Sequence, residues 1–183
     1  MNSKFKARNI LITGSVSSGK SYLLQSIIDY LHNENTQIGG IVCPAVRDGE
    51  QKIGYQVIDI STGESMMLCN ITDKNEGINS GKYYFSNSAF SFGEEAIKRS
   101  MKNSQVIIVD EIGNLELKCQ GWYDIAYHLL KNMKTNPQIS CIILSVRKSI
   151  LNDIIKMFDI SDYVIFDIDK YNSSLQVKDI IYA

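Results

Sequence analysis

The sequence predicts an α/β protein: a mostly parallel sheet with helices on both faces, extended by antiparallel hairpins. Three observations carry this. The runs 9–13, 105–109 and 139–145 are apolar on both faces, as strands buried in a parallel sheet must be. Segments with apolar residues at helical spacing separate them. The stretch between residues 38 and 69 is strand-like but broken at Asp48-Gly49 and Thr62-Gly63, dipeptides that tolerate the positive φ angles of hairpin turns.

In chain order, residues 9–13 form a strand that runs into a glycine-rich segment. From Lys20 the pattern changes, and Leu23, Leu24, Ile27, Ile28 and Leu31 mark one face of a helix. A strand over 38–46, a turn over 47–50 and a strand over 52–60 follow, then a turn at Thr62-Gly63 and a strand over 65–69. Residues 82–85 suggest one more strand. A helix over 88–101 buries Ala89, Phe92, Ala96 and Ile97, with Ser88 as its expected cap. A buried strand over 105–109, a helix over 122–133, a buried strand over 139–145, a helix over 148–158 and a last strand over 163–168 complete the pattern.

The 183 residues fit one domain, 1–183, of ordinary size. A hydrophobic share of 44% and a charged share of 21% are those of a globular chain, not a disordered one. The formal net charge of −1 argues against nucleic acid as a partner. The longest basic clusters, Lys98-Arg99 and Arg147-Lys148, read as solvated element ends. The apolar run 10–12 is too short for a signal peptide, and no run approaches a membrane span, so a soluble, cytoplasmic protein without membrane partners is expected. Cys43, Cys69, Cys119 and Cys141 are too dispersed for a metal site and read as reduced structural thiols.

The chemistry is concentrated in Gly14-Ser15-Val16-Ser17-Ser18-Gly19-Lys20-Ser21, which fits G-x-x-x-x-G-K-[ST] at every fixed position. Glycines let the backbone curl until successive N–H groups point at phosphate oxygens, and the following helix aims its positive end there too. Lys20 reaches the β- and γ-phosphates, and the Ser21 hydroxyl ligates Mg²⁺. A nucleoside triphosphate is therefore the expected ligand, with Mg²⁺ as cofactor. Val106-Ile107-Ile108-Val109-Asp110-Glu111 supplies the second half, a carboxylate at the end of a buried strand. Asp110 is assigned to the Mg²⁺ shell, and Glu111 to orienting or deprotonating water.

Other positions leave two readings open. Ser145 either contacts the γ-phosphate or the lytic water, or is an ordinary loop serine. Arg47, at a strand end, either neutralises phosphate charge or is a solvated turn residue. Tyr83, Tyr84, Phe85, Phe90, Phe92 and Trp122 either stack on a base or fill the core. Glu116 either ligates metal or starts the segment 115–117 at the surface. His32 and His128 have no spaced partner and read as structural or exposed.

Beyond the phosphate loop, Gly39-Gly40-Ile41-Val42, Val46-Arg47-Asp48-Gly49, Ile53-Gly54-Tyr55, Asp59-Ile60-Ser61-Thr62-Gly63, Gly81-Lys82-Tyr83 and Asp110-Glu111-Ile112-Gly113-Asn114-Leu115-Glu116-Leu117 follow in order. This series resembles the thermophile-type, or cancer-related, nucleoside-triphosphatases, over most of the chain to about residue 150. The resemblance implies a three-layer, RecA-like P-loop NTPase with a catalytic glutamate. It also implies Mg²⁺-dependent hydrolysis of triphosphates with loose base preference, Lys20, Ser21, Asp110 and Glu111 taking the family's roles. Two positions depart from the family pattern. The glycine after Arg47 comes one place early, and Asn172 is followed by Ser173 where the family often has arginine. A nucleotide or small-molecule kinase and a nucleotide-driven switch are the competing readings. An arginine-rich lid, usual in such kinases, is not visible in the sequence.

Overall fold

A computed structural model describes residues 5, 8–72, 77–133, 135–170 and 177–182; Asn172 lies outside them. The parallel strands are β1 (Asn9–Gly14), β2 (Ile38–Val42), β8 (Val106–Ile112), β9 (Cys141–Arg147) and β10 (Tyr163–Asp167). Between β2 and β8 come β3 (Ala45–Asp48), β4 (Gln51–Asp59), β5 (Ser65–Asn70), β6 (Ile78–Ser80) and β7 (Tyr83–Phe85). The helices are α1 (Lys20–Asn33), α2 (Asn87–Asn103), α3 (Tyr123–Met133), α4 (Leu151–Met157) and α5 (Val177–Ile181). Among the described residues, all ten strands join one open sheet in the order β10-β1-β9-β8-β2-β4-β5-β7-β6, with β3 paired to β4. The first five strands in that order run parallel, and every pair from β2–β4 onward is antiparallel. This is the mostly parallel sheet with a hairpin extension that the sequence predicts.

The period of two along each strand divides the core into two layers. Leu11, Ile107, Val109, Ile142 and Leu144 belong to the layer filled by residues of α2, α3 and α4. Ile10, Ile12, Val106, Ile108 and Ile143 belong to the other, with Leu24, Ile27, Ile28 and Leu31 of α1 and Ile180 and Ile181 of α5. Two-sided burial is why these strands are apolar at every position. Among the described residues, no helix is long and apolar enough to cross a membrane.

Several boundaries differ from expectation. The strand expected over 38–46 is two strands. Pro44 has no N–H to give, its carbonyl accepts from Gln56 N at 3.1 Å, and the chain re-enters the sheet beside β4. The turn expected over 47–50 is tighter, because Arg47 and Asp48 still pair with Lys52 and Gln51, leaving Gly49-Glu50 at the tip. The cap of α2 is Ser86, not Ser88: Ser86 Oγ accepts from Ala89 N, and the Ser88 hydroxyl is bonded to Ser86 instead. The helix expected over 148–158 opens with a 3-10 turn, Lys148–Ile150. Strand β6 and helix α5, three and five residues long, are too short to show a period.

Helix α2 lies against β2 at unusually close range. Gly40 has φ 102° and donates to Ser100 Oγ at 2.7 Å, and that hydroxyl donates to Ala96 O. A Cβ on Gly40 would stand 2.0 Å from the carbonyl oxygen of Ile108 in the neighbouring strand. We expect Gly40→Ala to destabilise the fold by about 1–3 kcal/mol from the backbone angle alone, with more from the clash. Urea unfolding reads this directly, and an unchanged midpoint would show that β2 can move away from β8 without cost.

Candidate active site

Strand β1 is buried along its whole length and ends at Gly14, where the chain leaves the sheet. It turns through left-handed Ser17 (φ 61°) and Gly19 (φ 95°) and enters α1 at Lys20. Gly14 must be glycine, since a Cβ there would lie 2.3 Å from the Ile168 side chain and 2.5 Å from Ser18 Oγ. No described side chain caps α1. Its first-turn N–H groups therefore face the loop, where a helix attracts anions. The Lys20 ammonium donates to Gly14 O at 3.2 Å and Ser15 O at 2.8 Å. Burial lowers its pKa, against the opposing charges of Glu111 and Asp110.

Alternation along β8 explains Asp110. It falls on the face of Val106 and Ile108, the face that α1 covers, and its carboxylate meets the first turn of that helix. Ser21 Oγ donates to Asp110 Oδ2 at 3.3 Å, and Cys43 N donates to the same oxygen at 3.0 Å. Two hard oxygens from separate elements thus stand side by side at the phosphate loop. That donor set fits Mg²⁺, which is usually held by one or two protein oxygens beside substrate phosphates.

Glu111 breaks the alternation. Its φ is 62°, left-handed for a residue with a Cβ, and the β8–β9 register slips between Val109 and Ile112. The kink takes the carboxylate out of the strand's regular alternation and makes it a wall of the cavities around the loop. Glu111 N donates to Asp110 Oδ1 at 2.9 Å and to Ser145 Oγ at 3.4 Å, so Ser145 helps hold the kink. Burial first, and the Asp110 charge second, push the Glu111 carboxyl up to about 7, while Arg147, Lys20 and Lys52 pull against them.

A cavity of about 390 Å³ opens over the loop, lined by Ser17–Ser21 on one side and by Arg47, Lys52, Tyr55 and Glu111 on the other. Arg47 is an exposed outer wall, its guanidinium donating to Glu50 O at 2.8 Å. Lys52 closes the gap between hairpin and loop, donating to Ser17 Oγ at 3.3 Å and Tyr55 Oη at 3.1 Å. A cleft of about 30 Å³ continues inward between Lys20, Glu111, Ser145 and Arg147. Beyond Glu111 it meets a third cavity of about 260 Å³, lined by Tyr83, Phe85, Phe90 and Trp122; Tyr84 and Phe92 do not face it.

Arg147, read from sequence as a solvated strand end, is instead half-buried at this cleft, opposite Gly14 in the β1–β9 register. Its spacing two residues after Ser145 on a buried strand was the available signal. Asp169 was also missed: it accepts from Ser15 N at 3.0 Å and Ser15 Oγ at 2.7 Å and pairs with Lys148 at 3.2 Å. The Ser15 hydroxyl, more than Lys148, holds its carboxyl below the ordinary value. Glu116 is not a surface residue. It is 2% exposed, with Oε2 accepting from Gly113 N at 2.6 Å and Oε1 from Trp122 N at 2.8 Å.

A family model described as NTPase matches residues 9–181. A nucleoside-triphosphatase THEP1 of Methanothermobacter thermautotrophicus is 32% identical over 85% of this chain and 86% of that protein. Its namesake from Thermotoga maritima is 28% identical over 94% and 92%. The match to the Methanopyrus kandleri protein of that name, 31% identical, covers 63% of each, just under two thirds of its length. The crystal structure of THEP1 from Aquifex aeolicus superposes with a TM-score of 0.71 over 94% of this chain and 96% of that one, at 19% identity. The solution structure of a human cancer-related nucleoside triphosphatase gives 0.70 over 96% of both, at 21% identity. These two likenesses establish the fold, an open, mostly parallel sheet flanked by helices.

The environment of Glu111 has a consequence for stability. Its raised pKa means that the folded protein holds this proton more tightly than the unfolded chain. That contribution is complete below the unfolded value, about 4.3, and is lost as pH rises through about 7. Glu111→Gln is neutral at every pH. In metal-free buffer its urea midpoint should therefore exceed the parent's at pH 8, the gap closing towards pH 4. A parent that is the more stable at pH 8 would contradict this account of the site.

Proposed function

The chain belongs to the nucleoside-triphosphatase family that matches it along its length, and we propose that it hydrolyses nucleoside triphosphates to diphosphate and phosphate. In this reading the reaction depends on Mg²⁺, and base preference is loose. One observation carries it. The Glu111 carboxylate leaves its strand through a left-handed kink and lines the cavity over the phosphate loop, with Asp110 and Ser21 paired behind it.

The phosphate loop and the N–H groups at the start of α1 hold the β-phosphate, and Lys20 spans the β- and γ-phosphates. Ser21 and Asp110 would hold Mg²⁺, which would supply positive charge to offset that of the phosphates. Glu111 accepts a hydrogen bond from the attacking water and takes its proton as the oxygen bonds to phosphorus. Arg147 stabilises the charge that develops on the γ-phosphoryl oxygens, the task that arginine performs in many phosphoryl transfers. Its place in the cleft with Lys20 and Glu111 supports this assignment. Arg47, held at the hairpin tip by Glu50 O, contributes an outer wall of the triphosphate cavity.

Phosphate release from ATP, GTP, CTP and UTP tests the proposal. Glu111→Gln should lower the rate roughly 10²-fold or more while a fluorescent ATP analogue still binds. Arg147→Ala should lower kcat about 10²-fold or more, and Arg47→Ala less than about threefold. Equal phosphate release by the parent and Glu111→Gln would overturn the hydrolytic reading.

A further inference from the structure

The cavity beyond Glu111 takes no part in the hydrolysis described above. Its walls contain no residue of the phosphate loop, yet Glu111 and Tyr55 line it, the triphosphate cavity and the cleft between them. It therefore lies past the γ-phosphate end of the site. Attack by water needs no such room; about 260 Å³ is far more than one water molecule requires.

Aromatic rings form the floor. The Trp122 ring stands edge-on to Phe90, centroids 4.7 Å apart, and Phe85 stacks on Phe90 at 5.8 Å. A Cβ at Gly93 of α2 would touch the Trp122 ring at 2.4 Å, so that glycine leaves room for the indole. Tyr83 and Tyr55, ring centroids 5.6 Å apart, form a side wall. Exposed Lys82 and Asn114 are the polar groups at the rim, and Glu111 and Arg147 stand at the inner end. Aromatic walls with a few polar groups at rim and inner end suit a heteroaromatic ring with polar edges.

We propose that this cavity binds a phosphoryl acceptor, a planar heteroaromatic molecule of nucleoside size carrying a primary hydroxyl, and that the protein transfers the γ-phosphoryl group to it. The proposal rests on residues 14–21 holding a nucleoside triphosphate. The acceptor hydroxyl oxygen forms a bond to the γ-phosphorus, and the bond from that phosphorus to the β,γ-bridging oxygen breaks. The electron pair leaves with the nucleoside diphosphate, and the hydroxyl proton passes to the Glu111 carboxylate. The products are a phosphomonoester and a nucleoside diphosphate. When the cavity is empty of acceptor, water takes the same line of attack, and hydrolysis is the result.

Trp122 is the only tryptophan in the chain and reports on the cavity directly. Adenosine, guanosine, cytidine, uridine, thymidine and pyridoxine would each be titrated against the protein holding a non-hydrolysable ATP analogue and Mg²⁺, following tryptophan emission. Parallel reactions with γ-labelled ATP would follow the label. At least one compound should change the emission saturably and become labelled at least tenfold faster than inorganic phosphate appears. Ser80→Phe, which places a ring in the cavity wall, should weaken that compound's binding at least tenfold. Emission unchanged by every compound, or binding with the label found only in inorganic phosphate, overturns the acceptor assignment alone. Failure of ATP itself to bind overturns the phosphate-loop reading and this one together.

Discussion

The Asp110 carboxylate is fully buried, and a charge in that position is tolerable only while its oxygens are hydrogen-bonded. Its partners come from three places in the chain: Ser21 at the start of α1, Cys43 just past the end of β2, and the backbone of Glu111. Satisfying one acid thus locks the helix that follows the phosphate loop to two central strands. The loop, the kink at Glu111 and the cleft lined by Lys20 and Arg147 all hang on that junction. The rest of the sheet can be viewed as the framework that lets these three segments converge.

How much of this was legible in the sequence depended on distance along the chain. The phosphate loop and the helix after it are local, so residues 9–31 announce strand, loop and helix without any tertiary knowledge. Asp110 was legible because the end of a buried strand is a defined place. Arg147 was not. Whether a basic residue at a strand end is solvated or faces a carboxylate depends on which strand lies beside it, and β9 reaches the site only because it is inserted between β1 and β8. Glu116 misled for a related reason. Acids are usually exposed, and burial here is tolerable because two backbone donors, three and six residues away, use both its oxygens. At Ser86 and Ser88 the competition was between two equally good caps two residues apart, which sequence cannot rank.

The hairpin extension deserves a functional reading as well as a topological one. Strands β3 to β7 add nothing to the parallel centre, but they supply Arg47, Lys52 and Tyr55 on one side of the site and Tyr83 and Phe85 on the other. Lys52 ties that extension to the loop through Ser17, and Asp59, fully buried, ties it to α2 through Arg99 at 2.6 Å. The parallel centre carries the phosphate loop, Asp110 and Glu111, and the antiparallel extension supplies the walls that face them.

The two hydrogen bonds of Glu116 close the segment from Gly113 to Trp122 into a ring. Glu111 lies just before this ring and Trp122 is its far end, so the ring joins the neighbourhood of the Glu111 carboxylate to the floor of the aromatic cavity. Residues 117–121 sit inside the closure, and Gly121 is held to glycine there: its φ is 62°, and a Cβ would stand 2.4 Å from Glu116 Oε1. A side chain at that one glycine would therefore press on the carboxylate that holds both ends of the ring, although none of residues 117–121 lines the cavity itself.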